Sequence, residues 1–392
     1  MSNEESAVKN VTPKPRLLYI DNLRILLTIL VILHHLAIGY GAPGDNIYVE
    51  AGEISMVSTI LLTLFVAINQ AFFMGFFFMI SSYFTPGSYD RKGPGPYVLD
   101  RLKRLGIPLL FYILVIDPLL NFALARYYGY QGSLGQFLQL HLQNSLDYKA
   151  LGVGPLWFVA ALLIFSLLYV LWRLVFNQPV TPPPSEGKAP SNWAIAGFAL
   201  ALGLLTFVVR IWIPVGQQFR LLGWQLAHFP QYIVMFIIGI VAYRRNWFSA
   251  LSVAQAKWWL GIIVLLILLF PALLIGAGAL EGDADSAFGG VHWQSLAYSI
   301  WEQFMCMAMV VTLLVWFRTK FNRQGSLARK MSAAAYATYI FHRPTITLLA
   351  LALVSIQLDM ALKFVLVAPL AVVLSFLVGY IVKQLPLAKD IV

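Results

Sequence analysis

Long apolar runs, broken by short polar or charged stretches, fill most of the 392-residue chain. About twenty consecutive apolar residues suffice to cross a hydrocarbon layer as a helix. Ten such runs stand near 17–40, 56–84, 105–125, 155–177, 193–213, 228–243, 258–280, 297–317, 332–355 and 361–383. The sixth is short for a crossing, and the second is long enough to tilt or to break at Gly75. Backbone groups in lipid must be satisfied within their own segment, so the pattern predicts an all-α, polytopic membrane helix bundle of about ten transmembrane helices. It divides the chain into a tail at 1–16, a membrane domain at 17–385 and a tail at 386–392. Within the membrane domain, residues 178–192 form a proline-rich connection, expected to be exposed, semi-rigid and a separator of four spans from six.

Composition agrees. Residues are 60% hydrophobic and 11% charged, whereas a soluble domain carries about 25% charged residues. Charge then sets the orientation. With the N-terminus in the cytoplasm, twenty of the twenty-seven Lys and Arg residues fall in inside segments, and acidic residues such as Asp45, Glu50, Glu53, Glu281 and Asp283 collect outside. Basic residues stay on the cytoplasmic side of short loops, so both termini are expected inside, in the inner or plasma membrane of the cell. The net charge of +10 is therefore topological and gives no ground for nucleic-acid binding. A single cysteine, Cys306, excludes an intramolecular disulfide framework and a cysteine-based metal cluster. No small-residue cleavage site follows the first apolar run, which reads as a retained span. No loop is long enough for a soluble catalytic domain, so any chemistry belongs to the bundle.

The first span holds the densest chemistry: Asp21, Arg24, His34 and His35 lie within one apolar run. Ionisable groups in a span cost about 2.5 kcal/mol or more each, so they face a polar interior or one another. Arg24 and His35 are eleven positions apart, which places them within about 20° on one helix face and about 16 Å apart along the axis. Asp21 stands one turn before Arg24, at ion-pair spacing; His34 points about 100° away from His35. Anchoring and packing alone can also explain these groups: Arg24 at the headgroups, Asp21 balancing it, His35 bonding a neighbour. Adjacent histidines on a helix cannot aim at one ion, so no metal site is expected.

Other polar groups sit at membrane depth. Glu302 lies near the outer end of span eight, either as a hydrogen-bonded structural carboxylate or as part of a site. His342 follows Tyr339 by one turn and precedes Pro344, which removes a backbone donor there. Arg101 and Arg104, one turn apart at the inside mouth of span three, suit phosphate groups and equally suit anionic lipid. Trp157 opens span four on the outer side, while most other tryptophans fit an interfacial belt. His228 and Arg210 border outside loops. Nucleotide loops, serine elbows and HExxH motifs are absent from the sequence.

Several of these stretches together resemble membrane acyltransferase family 3. Asp21-x-x-Arg24, then ten residues and His35, is similar to that family's first-span signature. Phe77-Phe-Met-Ile-Ser-Ser-Tyr-Phe84 resembles the end of its second span, with Ser82 where glycine is usual. Arg101-Leu-Lys-Arg104 with Pro108, Leu156-Trp-Phe158 and Tyr336-Ala-Thr-Tyr-Ile-Phe-His342 resemble later motifs in the same order. The resemblance covers residues 16–385 and is of the stand-alone type, similar to glucan acetyl- and succinyltransferases. It implies transfer of an acyl group from cytoplasmic acyl-CoA to a hydroxyl of a cell-envelope glycan, with no permanently bound cofactor.

Under that resemblance His35 is expected to act as general base and Arg24 to orient the donor. Asp21 would fix Arg24, Arg101 and Arg104 would hold the CoA phosphates, and Glu302, His342, Tyr339 and Trp157 would support the site. The span from Arg24 to His35 suits an extended pantetheine arm. Direct transfer and a relay through an acyl-histidine both remain open, as does His34 in place of His35. The alternative outside enzymology is a secondary transporter for an anionic solute or glycan intermediate. Neither the acyl group, the acceptor nor the oligomeric state is legible in the sequence.

Overall fold

The structure is a computed structural model describing residues 16–50, 52, 54–177, 180, 182–278 and 285–391. Most of the N-terminal tail, Pro179 and Thr181 of the proline-rich connection, and the acidic residues Glu53, Glu281 and Asp283 lie outside the described residues. The principal helices are α1 (Leu18–Gly39), α2 (Met56–Lys92), α3 (Pro94–Tyr127), α4 (Leu134–Asp147), α5 (Gly154–Val175) and α6 (Asn192–Arg210). After them come α7 (Leu226–Arg244), α8 (Val253–Gly276), α9 (Trp293–Lys320), α10 (Ser326–Ala352) and α11 (Met360–Gln384). A two-residue antiparallel pair, Gln218–Phe219 with Trp224–Gln225, precedes α7.

All ten expected crossings are helices. Among the described residues nine are long and apolar enough to cross a membrane. The tenth, α10, is 27 residues long but carries Arg329, Lys330 and Arg343, and it packs between α1 and α11. Burial shows the layering: 72% of the apolar stretch of α9 is buried against 17% for α8, so α9 is central and α8 peripheral. Leu265, Leu268, Leu366 and Val373 point outward, as lipid-facing positions do.

The connections sort to two ends. Asn22 Nδ2 donates to the carbonyls of Phe321 (2.6 Å) and Arg323 (2.9 Å), and Lys383 Nζ donates to that of Ala333 (2.6 Å). The start of α1 thus meets the basic connection between α9 and α10, and the end of α11 meets the first turns of α10 that follow it. At the opposite end Ser55 and Ser58 donate to Asp359, and Gln218 donates to Asp45 at 3.0 Å. Charge segregation and bundle geometry agree.

Three expectations change. The second helix does not break at Gly75; the glycine admits α7, because a Cβ there would stand 2.9 Å from Gln231 Oε1. The described part of the proline-rich connection is mostly exposed, as expected, but tied to the bundle: Asn246 Nδ2 donates to the carbonyls of Pro184 and Ser185, Gln255 to that of Pro190, and Ala189 packs on the main core. Nor does it divide the bundle, since one apolar core contains residues from both sides of it. The apolar pattern of span three began too late. Its helix starts at Pro94 and runs 34 residues with π-helical turns at Leu102–Gly106 and Tyr112–Ile116. Pro108 leaves the carbonyl of Arg104 without its i+4 donor, and Tyr336 Oη fills the gap at 2.8 Å.

Candidate functional site

Consecutive positions on α1 send His34 and His35 in different directions, with ring centroids 5.8 Å apart and ring planes at 89°. His34 packs on Phe73 of α2 at 4.9 Å. His35 stands beside His342 of α10, 5.2 Å between ring centroids. Both α1 histidines line a chamber of about 940 Å³ that reaches the outer end, where Asp45, Gln218 and Arg220 border it. His342 is fully buried behind that wall. Its Nδ1 lies 2.6 Å from the Tyr339 carbonyl. A carbonyl only accepts, so Nδ1 carries the proton and Nε2 is left as an acceptor. Among the described residues neither that Nε2 nor Nδ1 of His35 has a hydrogen-bond partner. His34 Nδ1 is without a partner among them as well, so the unpartnered atoms mark both α1 histidines; what sets His35 apart is the His342 ring beside it.

Tyr339 holds the site to the outer start of α5: its hydroxyl donates to the carbonyl of Pro155. Trp157, two residues on, faces Tyr232 at 5.3 Å, accepts at its carbonyl from Trp224 Nε1 (3.2 Å), and lines the chamber. The tyrosine–histidine motif, the span-four opening and His35, distant in sequence, therefore form one wall.

Arg24 is elsewhere. The chamber includes Val31, His34, His35 and Ile38 of α1 and not Arg24. The Arg24 guanidinium lies over the Phe84 ring at 5.1 Å, with Nη1 3.5 Å from Asp21 Oδ1. Asp21 is shared, and its tighter contact is with Arg16 at 2.5 Å. Arg101 and Arg104 also belong to the basic end, where Asp100 accepts from both (2.8 and 3.1 Å) and Lys92 stands at 3.0 Å. A phosphate arriving there must share these cations with Asp100.

Glu302 joins a different wall. Its Oε2 accepts from Arg210 Nη2 at 2.5 Å and its Oε1 lies 3.0 Å from His228 Nδ1; all three residues are buried. Arg210 Nη1 also donates to Ser299 at 3.2 Å, and its guanidinium lies over Tyr298 at 5.4 Å. Of the three, His228 reaches the chamber surface.

The structure adds chamber residues that no sequence motif had marked. Arg343 lines the wall next to His342; a Cβ at Gly154 would stand 2.6 Å from Tyr112 Oη and 3.0 Å from Arg343 Nη1, so only glycine fits between them. Asp117 and His141, 3.4 Å apart, lie at the mouth. His141 comes from α4, an outer helix with a Ser133–Gln136 capping box that the span pattern passes over. The Ser/x/x/Gln spacing was the available signal. No group of three or more His, Cys, Asp or Glu side chains among the described residues is arranged to hold a metal ion.

Comparison with known proteins extends the picture. A family described as an acyltransferase domain matches residues 17–383. Among curated proteins, glucans biosynthesis protein C of Escherichia coli K12 is 24% identical over 344 residues, covering 86% of this chain and 83% of the relative. The proteins of that name from strains SMS-3-5 and HS match to the same extent. No solved structure matches.

Proposed function

The chain belongs to membrane acyltransferase family 3, and from that membership we propose that it transfers an acetyl or succinyl group from cytoplasmic acyl-CoA to a hydroxyl of a cell-envelope glycan. The glucan-related name of its relatives supports the acceptor class. The observation that carries the catalytic assignment is His35 on the chamber wall with the fully buried His342 directly behind it, ring centroids 5.2 Å apart.

Acyl-CoA approaches the basic end, where Arg101 and Arg104 meet its phosphates and Arg24, kept in place by Asp21 and Phe84, orients the arm. The arm extends along α1 toward His35, about 16 Å further on. In the chamber His35 takes the proton of the acceptor hydroxyl as its oxygen attacks the thioester carbonyl. The carbon–sulfur bond breaks, the acyl group stays on the acceptor oxygen, and the proton passes to the CoA thiolate. Proton removal of this kind contributes on the order of 10²–10⁴-fold. His342, its tautomer set by the Tyr339 carbonyl, offers Nε2 to an N–H of His35 and steadies the imidazolium as it forms. Arg343 adds positive charge to the same wall, where the carbonyl oxygen becomes negative.

Membranes holding matched amounts of wild type, His35→Ala, His34→Ala and Arg24→Ala, supplied with radiolabelled acetyl- or succinyl-CoA and envelope glycan, test the assignment. Label in the glycan should fall at least about 100-fold with His35→Ala and persist with His34→Ala. Equal labelling by wild type and His35→Ala removes His35 from the chemistry. Wild-type membranes that transfer no label from either donor point instead to transport, and uptake of glycan intermediates becomes the assay.

A further inference from the structure

The reaction above makes no use of the second polar wall. Arg210 and Glu302 alone would be a neutral buried pair, yet a histidine is built onto the chamber side of it. His228 Nδ1 stands 3.0 Å from Glu302 Oε1 and 3.2 Å from Arg210 Nη2 and cannot serve both. Arg210 Nη2 already donates to Oε2 at 2.5 Å, whereas Oε1 has no other donor among the described residues, so the proton of neutral His228 sits on Nδ1, toward the carboxylate. Nε2 is then a bare acceptor on a residue that lines the chamber. Beside it, the rings of His228 and Tyr232 stack at 6.2 Å, and Tyr232 continues to Trp157 at 5.3 Å. Gln70 Nε2 donates to Tyr232 Oη at 3.0 Å, which leaves that hydroxyl its own proton to give. The wall thus presents aromatic faces, one oriented acceptor and one donor, with the cation behind it already neutralised.

Such a surface suits a neutral polyhydroxylated ring. Hydroxyls meet both an acceptor and a donor, and the C–H face of a sugar lies on an aromatic side chain. This wall does not suit a phosphate, because its own cation, Arg210, is already paired with Glu302; the other arginines of the chamber, Arg220 and Arg343, belong to its mouth and to the His342 side. We infer that His228, Tyr232 and Trp157 form the subsite for a sugar ring of the acceptor, with His228 Nε2 accepting from a hydroxyl other than the one acylated. The choice of a glycan ligand rests on the function proposed above; the polarity of the wall does not. Glu302 and Arg210 are positioning residues, acting through the His228 tautomer.

Equilibrium dialysis of tritiated β-linked gluco-oligosaccharides against the full-length protein in lipid nanodiscs reads this directly, without acyl transfer. Saturable binding is expected for wild type, weakened about tenfold by His228→Phe, the loss of one well-placed hydrogen bond. Phenylalanine keeps the ring and leaves Arg210 and Glu302 paired. Tyr232→Phe, which leaves the ion pair untouched, should weaken binding several-fold and decides the matter if His228→Phe does not fold. In the transfer assay the same variants should raise the acceptor KM and leave the acyl-CoA KM within about twofold. Absence of saturable wild-type binding, or wild-type affinity in both variants, overturns the subsite. Oligosaccharide binding without any label transfer would sink the acyl-transfer reading and leave the subsite standing. Transfer with an unchanged acceptor KM in both variants would do the reverse.

Discussion

His342 shows how much one carbonyl decides. Without the Tyr339 oxygen at 2.6 Å, either ring nitrogen of His342 could carry the proton; with it, Nε2 is an acceptor beside His35. His342→Gln removes the imidazole and keeps a polar side chain, so acceptor and donor KM should hold while kcat falls about tenfold, less than the roughly 10²–10⁴-fold expected for loss of the general base itself. Initial rates at saturating substrate measure it, and an unchanged kcat would reduce His342 to packing. The sequence marked both histidines and set Tyr339 one turn before His342, but not their pairing. Nothing in a sequence separation of 307 positions brings two rings to 5.2 Å. Arg343, in the middle of the expected span 332–355, belonged to no motif that gave it a role, and only packing turns it to the chamber.

At the scale of helices, glycines and prolines explain where α2, α3 and α7 touch. Ser82, where the family resemblance departs from glycine, is admitted because α7 supplies Gly239 opposite. A Cβ on Gly239 would lie 2.0 Å from Ser82 Oγ and 2.2 Å from the Met79 carbonyl oxygen. Gly239→Ala should therefore destabilise the α2–α7 contact by about 1–3 kcal/mol, read as a lower thermal midpoint in nanodiscs. Adding Ser82→Gly should restore little, because the Met79 backbone still blocks the methyl group. Full rescue would show the contact to be a side-chain matter alone. Along α3, Pro108 was legible as a helix perturbation; that Tyr336 of α10 repairs the freed carbonyl was not.

For the whole molecule, the outer loop between α1 and α2 is strapped across the bundle. Glu50 Oε1 accepts from Lys363 Nζ of α11 at 2.5 Å, both side chains are buried, and Lys363 also donates to the carbonyls of Leu353 and Ile356 at 2.9 Å. Asn46 of the same loop donates to the His35 carbonyl at 2.9 Å. Lys363→Met leaves a buried carboxylate without its cation and should cost about 3 kcal/mol or more. The double variant Glu50→Leu/Lys363→Met should lose less than Lys363→Met alone, since no charge is left stranded. Denaturation midpoints of the three proteins test the order; a double variant worse than the single would show the pair to be stabilising in its own right.

The all-α polytopic class, the approximate ends of the long apolar helices and the polar cluster of α1 were determined by the sequence alone. Each of these follows from local quantities: the length of an apolar run against the thickness of lipid and the 100° step between neighbours on a helix. Which of those polar groups share a wall was decided by tertiary structure. Arg24 and His35 lie on one face of one helix, yet only His35 meets the chamber. Glu302, separated by 267 residues from His35 along the chain, closes instead on Arg210 and His228. A helix fixes the directions of its side chains relative to one another; what they point at depends on how neighbouring helices approach, and that is set by packing distributed over the whole bundle.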